Sequence, residues 1–340
     1  MSQDIVNNTG FGGGPALRAP DLTINIASQG DLILVVGPSQ RKLRVLSAVI
    51  SMACLSSTNS FGEVCGRARV NDQGLKYVVR PMMNEDAVEM ICQVIHHKIS
   101  QRYHLAPELV FAMALAATEL QCGQSLQFAM VTWLQPLNMG INGNVRGLVY
   151  LMAAAYIFGD VSAFRGITKQ LLMHRTGGFM SLALQYPEVF AVVPERMLCM
   201  LEILGAICVF YLKKAIADGR WDPMRSGPSG RVICFCTWGY ERFLYYGLSL
   251  HGSGLTPHQL HGRSIWAIGQ SIIHLNDPQP LRPTRQCLND QHVSPNFCSL
   301  RNQRVGFVYR AATLCLYCVQ ADALGKAVCT AGHQFWSYRV

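Results

Sequence analysis

The feature that most constrains this chain is Leu32-Ile33-Leu34-Val35-Val36, an unbroken apolar run set between Gly30-Asp31 and Gly37-Pro38. Five apolar residues closed by Gly-Pro predict a strand buried on both faces rather than one side of a helix. A Pro-Ser turn follows, then a strand that starts basic, Arg41-Lys42-Leu43-Arg44-Val45, and then helix-like Ser47-Ala48-Val49-Ile50-Ser51. The connection Val36-Gly37-Pro38-Ser39-Gln40-Arg41-Lys42 has the outline of a phosphate-binding loop. It lacks the second glycine whose backbone would wrap a phosphate, so the turn reading is preferred. Upstream, Thr9-Gly10-Phe11-Gly12-Gly13-Gly14-Pro15 is glycine-rich with no strand before it, and residues 1–29 are expected to be a flexible arm.

Residues 54–73 carry no clear period. A strand is expected at Lys76-Tyr77-Val78-Val79, before Arg80-Pro81. Asn84 is a good helix N-cap, and Glu85 and Asp86 suit the positive end of the following helix. Val88, Ile91, Cys92 and Ile95 repeat at helical spacing and make one apolar face. His96-His97 closes that helix and should meet its terminal carbonyls. A helix over 109–120 is apolar nearly all round. Another over 124–134 carries Leu126, Met130, Trp133 and Leu134 on one side and stops at Pro136. Strand, strand, helix, strand and three helices do not form an alternating βαβ series, which argues against a doubly wound nucleotide fold.

These stretches in this order carry a resemblance. Gly30-Asp31-Leu32-Ile33-Leu34-Val35-Val36-Gly37, with Leu43-Arg44-Val45-Leu46-Ser47-Ala48-Val49-Ile50-Ser51 after it, resembles the opening of a BTB/POZ domain, in particular those of filamentous-fungal proteins. Residues 87–97 are similar to the family's helix in front of its peptide-docking region, and 109–134 to its closing helix pair. Leu46 stands where the wider family often has His. Cys54-Leu55-Ser56-Ser57-Thr58-Asn59 replaces the aromatic-rich segment that usually follows the first helix. The resemblance implies an α+β fold: a BTB/POZ-like small sheet flanked by helices over 30–135, then a mainly α-helical C-terminal region. Within that region the expected parts are a helical extension over 136–218, a Gly/Pro-rich linker over 219–230, and a helical, cysteine-containing domain over 231–340.

In the extension, residues 148–158 are apolar throughout, and Val161, Phe164, Ile167, Leu171 and Leu172 form a stripe ended by His174-Arg175-Thr176-Gly177-Gly178. Residues 197–212 are almost entirely apolar, yet too short for a comfortable span of about 20 residues and interrupted by Glu202. A buried helix is expected there, and no membrane association.

The C-terminal third concentrates the polarisable side chains. Cys234 and Cys236, two apart in an extended segment, fall on one face. Cys315 and Cys318, three apart in the helical pattern of Val305, Val308 and Ala312, do the same. Two same-face thiol pairs can close a tetrahedral four-cysteine zinc site, with Cys287, His292 and Cys298 as alternative ligands. Fungal BTB relatives look similar here, with a CxC pair and a Leu-Cys-Leu-x-Cys segment matching Leu314-Cys315-Leu316-Tyr317-Cys318. Against this stands the plainer reading that the cysteines are small buried hydrophobes. No cofactor follows beyond a candidate structural zinc. His251, His258 and His261 lie in a Gly/Pro-rich stretch and read as solvent histidines.

Thirteen cysteines and no basic or apolar leader in Met1-Ser2-Gln3-Asp4-Ile5 point to a reducing compartment, nucleus or cytoplasm. The charge of +9 is spread along the chain without a basic run, so nucleic-acid binding is permitted but not indicated. No Gly-x-Ser-x-Gly, His-Glu-x-x-His or Gly-x-Gly-x-x-Gly occurs, and no catalytic residues are assigned. The expectation is a non-enzymatic interaction module. By the resemblance, its partner is a second BTB chain or a cullin scaffold, which would make the protein a ubiquitin-ligase substrate adaptor. The alternative is a nuclear regulator whose cysteine-rich C-terminal region binds nucleic acid through Arg282, Arg285, Arg301, Arg304 and Arg310.

Overall fold

The computed structural model describes residues 23–54, 61–70, 74–98, 105–135, 144–218, 237–276 and 297–323. Apolar continuity puts β2 (Leu32–Val36) in the middle of a sheet, with Leu32 and Leu34 fully buried. Each such side chain contributes about 1.5–3 kcal/mol of burial. On one side β2 pairs antiparallel with β3 (Arg41–Val45), Val36 facing Arg41. On the other it pairs parallel with β5 (Lys76–Arg80), Leu32 facing Lys76. Two short strands complete the order β1-β3-β2-β5-β4: β1 (Thr23–Asn25), parallel to β3, and β4 (Arg69–Val70), antiparallel to β5. The α+β class therefore holds, as a mixed five-stranded sheet accompanied by many helices.

The flexible arm expected over 1–29 is corrected at its end. Residues 23–25 are a strand and Ile26 and Ala27 are buried, because the backbone N–H groups of both bond the Arg44 carbonyl (3.1 and 3.0 Å). Residues 1–22 lie outside the described residues. The unpatterned stretch from 54 to 73 contains α2 (Phe61–Gly66) and β4, elements of six and two residues, too short to show a period.

The chain divides into two compact units, Met1–Gln101 with Ala116–Gln127, and Arg102–Leu115 with Phe128–Val340. In the first, α1 (Ser47–Ala53) packs on α2 and on α3 (Glu85–Ile95). Val88, Ile91, Cys92 and Ile95 form the expected buried face of α3, capped by Asn84, whose side chain accepts the Ala87 N–H at 2.9 Å. The division runs through α4 (Pro107–Leu120). The helix expected over 124–134 is a 3₁₀ turn, Gly123–Leu126, followed by α5 (Gln127–Trp133).

The second unit is helical in its described residues. α6 (Val145–Phe158) ends on Gly159, whose φ of 73° closes the helix in the left-handed region. It packs on α7 (Val161–His174). The short helices α8 (Ser181–Gln185) and α9 (Pro187–Phe190) lead to α10 (Arg196–Asp218). The helix expected over 197–212 forms, with Leu198, Leu201, Cys208 and Leu212 buried on one side while Ile203 and Phe210 reach solvent. Among the described residues no helix is long and apolar enough to cross a membrane. Glu202, the charge inside this apolar run, accepts the backbone N–H groups of Phe179 and Met180 and so holds the turn after α7.

Beyond α10 come α11 (Thr237–Gly252), α12 (Ile265–Ile273), α13 (Phe297–Ala311) and α14 (Leu316–Ala323). The extension and the cysteine-containing region do not separate into two bodies, because α10 packs on α12 and α13, and α7 on α12 and α14. The expected linker, 219–230, lies outside the described residues.

Candidate functional site

The turn that resembled a phosphate loop holds an anion of its own. Gly37 sits at φ 72°, and the space a Cβ would need is filled by the Glu85 side chain. Glu85 Oε1 accepts both the Ser39 backbone N–H (2.7 Å) and the Ser39 hydroxyl (2.6 Å). Arg41 reaches across to Glu85, Asp86 and Glu89 at 3.4, 2.6 and 2.9 Å. The acidic first turn of α3 thus satisfies the loop donors, and the β2–β3 turn is a structural clasp.

A second clasp joins the start of β2 to α1. Leu46, the N-cap residue, has no side chain with which to cap. Asp31 does this from outside the helix, accepting the Ser47 N–H at 2.7 Å and the Ser47 hydroxyl at 2.6 Å, with Lys76 Nζ at 3.7 Å. Partial burial pushes the Asp31 carboxyl up, but the Ser47 hydroxyl and N–H and the charge of Lys76 outweigh it and hold the group below the usual carboxylate range. The Leu46 N–H goes to His96 Nε2 (3.1 Å), while His96 Nδ1 donates to the Cys92 carbonyl (2.8 Å). That pair of bonds fixes the neutral tautomer, and burial lowers the ring's pKa. His96 therefore meets a terminal carbonyl as expected. Its bond to Leu46 N–H is a link that sequence spacing did not reveal.

Four cysteines lie in the interior of the same unit: Cys54, Cys65, Cys92 and Cys122, each 1% exposed or less. Burial pushes the Cys65 thiol up to about 12 and raises Cys92 further. Cys54 and Cys122 differ because they are hydrogen-bonded to each other. Donation from the Cys122 thiol lowers Cys54, and that same bond, with burial, raises Cys122.

On the outer face, an open concavity of about 440 Å³ lies between α2 and the β4–β5 edge. Val64, Tyr77 and Val79 line it together with Arg67, Arg69 and Arg80. The Arg80 guanidinium sits 5.3 Å from the Phe61 ring centre, which fixes it at the rim. Met52, Val70, Val79 and Met82 of this unit are all more than half exposed.

The sequence-predicted zinc ligands divide differently. Cys234, Cys236, Cys287 and His292 lie outside the described residues. Cys315 and Cys318 are half-buried around the first turn of α14, where the Val319 N–H bonds the Cys315 carbonyl at 3.2 Å. The helix expected to run through Cys315 stops at Ala311, because the Leu314 N–H leaves the helical ladder for the buried Thr168 hydroxyl on α7 (3.2 Å). Cys298, on α13, accepts from Asn302 Nδ2 at 3.6 Å. Among the described residues, no three His, Cys, Asp or Glu side chains are grouped to hold a metal ion. His251, His258 and His261 are exposed.

Of the basic face proposed for nucleic acid, Arg282 and Arg285 lie outside the described residues. Arg301 is 2% exposed, with Nη2 donating to the Leu275 carbonyl at 2.7 Å, so it belongs to the interior rather than to a face. Comparison of the chain with protein-family models, with curated proteins and with solved structures gives no match.

Proposed function

We propose that the protein is a docking module whose first unit, a BTB/POZ-like domain, binds another polypeptide through its outer face. The observation that carries this is the concavity in which exposed Val64 and Val79 lie with Tyr77 among Arg67, Arg69 and Arg80, in a unit whose own loop donors are already satisfied. An exposed apolar surface edged by charge suits protein association, where a buried apolar centre and a polar rim are the usual anatomy. The strand order supports the BTB-like reading: a hairpin, two helices, then a strand returning parallel to the first strand of the hairpin. Function on this account is burial of surface against a partner, not bond making.

The resemblance supplies two partners, a second copy of the chain or a cullin scaffold. Light scattering on the eluting full chain separates them, since self-association gives a dimer mass and cullin adaptation gives a monomer that retains purified cullin. Val79→Glu, at an exposed position, should abolish whichever association is seen without altering the circular dichroism. A monomer that also fails to retain cullin ends this reading.

A further inference from the structure

We propose that Cys54 and Cys122 are a disulfide-forming pair, oxidised by a hydroperoxide within the folded first unit. Two backbone-anchored bonds place them together. The Ser125 hydroxyl donates to the Ala53 carbonyl at 2.9 Å, and the Ser125 N–H donates to the Cys122 carbonyl at 3.1 Å, so Ser125 bridges the residue before Cys54 to Cys122 itself. The two thiols are hydrogen-bonded to each other. Both stand where regular structure ends: Cys54 is the C-cap of α1 (φ −103°, ψ 30°), and Cys122 precedes the 3₁₀ turn (φ −110°, ψ 15°). Backbone at an element end can shift to bring two neighbouring sulfurs to bonding distance, which a helix interior resists.

The four buried thiols are not equivalent. Attack on a peroxide needs a thiolate, and burial opposes that form at all four thiols, Cys54 being the one at which it is outweighed. At Cys54 the Cys122 thiol donates toward the sulfur and favours the anion. Cys54 is accordingly the attacking group and Cys122 the resolving one. The Cys54 sulfur takes one oxygen from hydrogen peroxide, breaking the O–O bond and giving a sulfenic acid and one water. The Cys122 sulfur then attacks the Cys54 sulfur, the S–O bond breaks, and a second water leaves with the remaining protons. Two thiols lose two electrons and two hydrogens, and one peroxide becomes two waters. The product ties the end of α1 to the segment before the 3₁₀ turn and closes the chain between 54 and 122. Such a loop stabilises by restricting the unfolded chain. The inference is independent of the docking reading.

The test treats the purified, reduced full chain with hydrogen peroxide, caps remaining thiols with an alkylating agent, and maps peptides without reduction. Trypsin with a glutamate-specific protease is required, because cleavage after Glu63 separates Cys54 from Cys65. The expected product is a Cys54–Cys122 linked peptide that disappears with dithiothreitol, together with a raised thermal midpoint of the oxidised protein. Cys65→Ser should leave the link in place. Cys122→Ser should lose it, leaving Cys54 to be trapped by dimedone as the sulfenic acid. Wild-type mapping decides the matter even if a variant misfolds. Cys54 linked to Cys65 or Cys92 as often as to Cys122, or a link that forms only in urea, overturns the proposal.

Discussion

Two pairs of cysteines in this molecule teach opposite lessons about what spacing in a sequence means. Cys315 and Cys318 stand three apart, look like half of a metal or redox motif, and sit half-buried at a helix start. Cys54 and Cys122 have no motif, yet the fold sets them side by side in the interior of the first unit, with Ser125 bridging the two segments. Short spacing guarantees only that two thiols share a face of an element. Whether anything faces them is decided by packing. At 315–318 the helix expected to carry the pair is interrupted, because the Leu314 N–H bonds Thr168. At 54 and 122 the chain ends two elements side by side and Ser125 ties them.

A charge placed at each pair should give the largest contrast between them. Cys122→Asp places a carboxylate where nothing is exposed, and should cost about 3 kcal/mol or more. Cys318→Asp, at a half-buried helix start, should cost far less. Urea unfolding of the two variants followed by circular dichroism gives both numbers. Equal costs would mean that burial does not distinguish the pairs.

The clasps around the first pair come next in size. Asp31→Ala removes the external cap of α1, the helix that Cys54 terminates, and should cost about 1–2 kcal/mol. Because the folded carboxyl lies below its unfolded value, this stabilisation is present above about pH 4 and is lost as pH falls through the folded value. The variant should therefore show a flatter stability profile in that acid range. His96 gives a smaller effect at milder pH. Its folded pKa is also lowered, burial being the main cause. The contribution is complete above the unfolded value of about 6.5 and declines as pH falls from there toward the folded value. His96→Phe should remove that decline in unfolding measured between neutral and mildly acid pH. An unchanged slope would mean that the Leu46 N–H does not depend on the ring.

What could be read in the sequence follows from length and period. β2, β3, β5 and α3 were legible because each runs to five residues or more, and Asn84 capped α3 as its chemistry predicts. β1, α2 and β4 were not, since three, six and two residues cannot display a period, and β1 is placed by its backbone ladder with β3. The apolar run at 197–212 gave its buried helix, but composition alone could not say that Ile203 and Phe210 would face solvent. The links that organise the first unit, Glu85 to Ser39, Asp31 to Ser47, His96 to Leu46 and Cys54 to Cys122, join residues far apart in sequence. Each is chemically ordinary once the partners meet, but no local pattern announces the meeting.

The smallest expected effect returns to the conspicuous pair. Cys315→Ser with Cys318→Ser, at two half-buried positions, should change stability by about 1 kcal/mol or less where no metal is held. A structural zinc held with Cys234 and Cys236 makes a very different demand. Binding free energy in such a site is folding free energy, so the double variant would lose both the metal and much of the stability of the second unit. Metal analysis of the purified full chain alongside the unfolding curve separates the two cases. The expected result is a small shift in the unfolding midpoint with no metal released. One zinc per chain, released by the double substitution together with a large drop in midpoint, would reverse the comparison and make the spaced motif the structural pair.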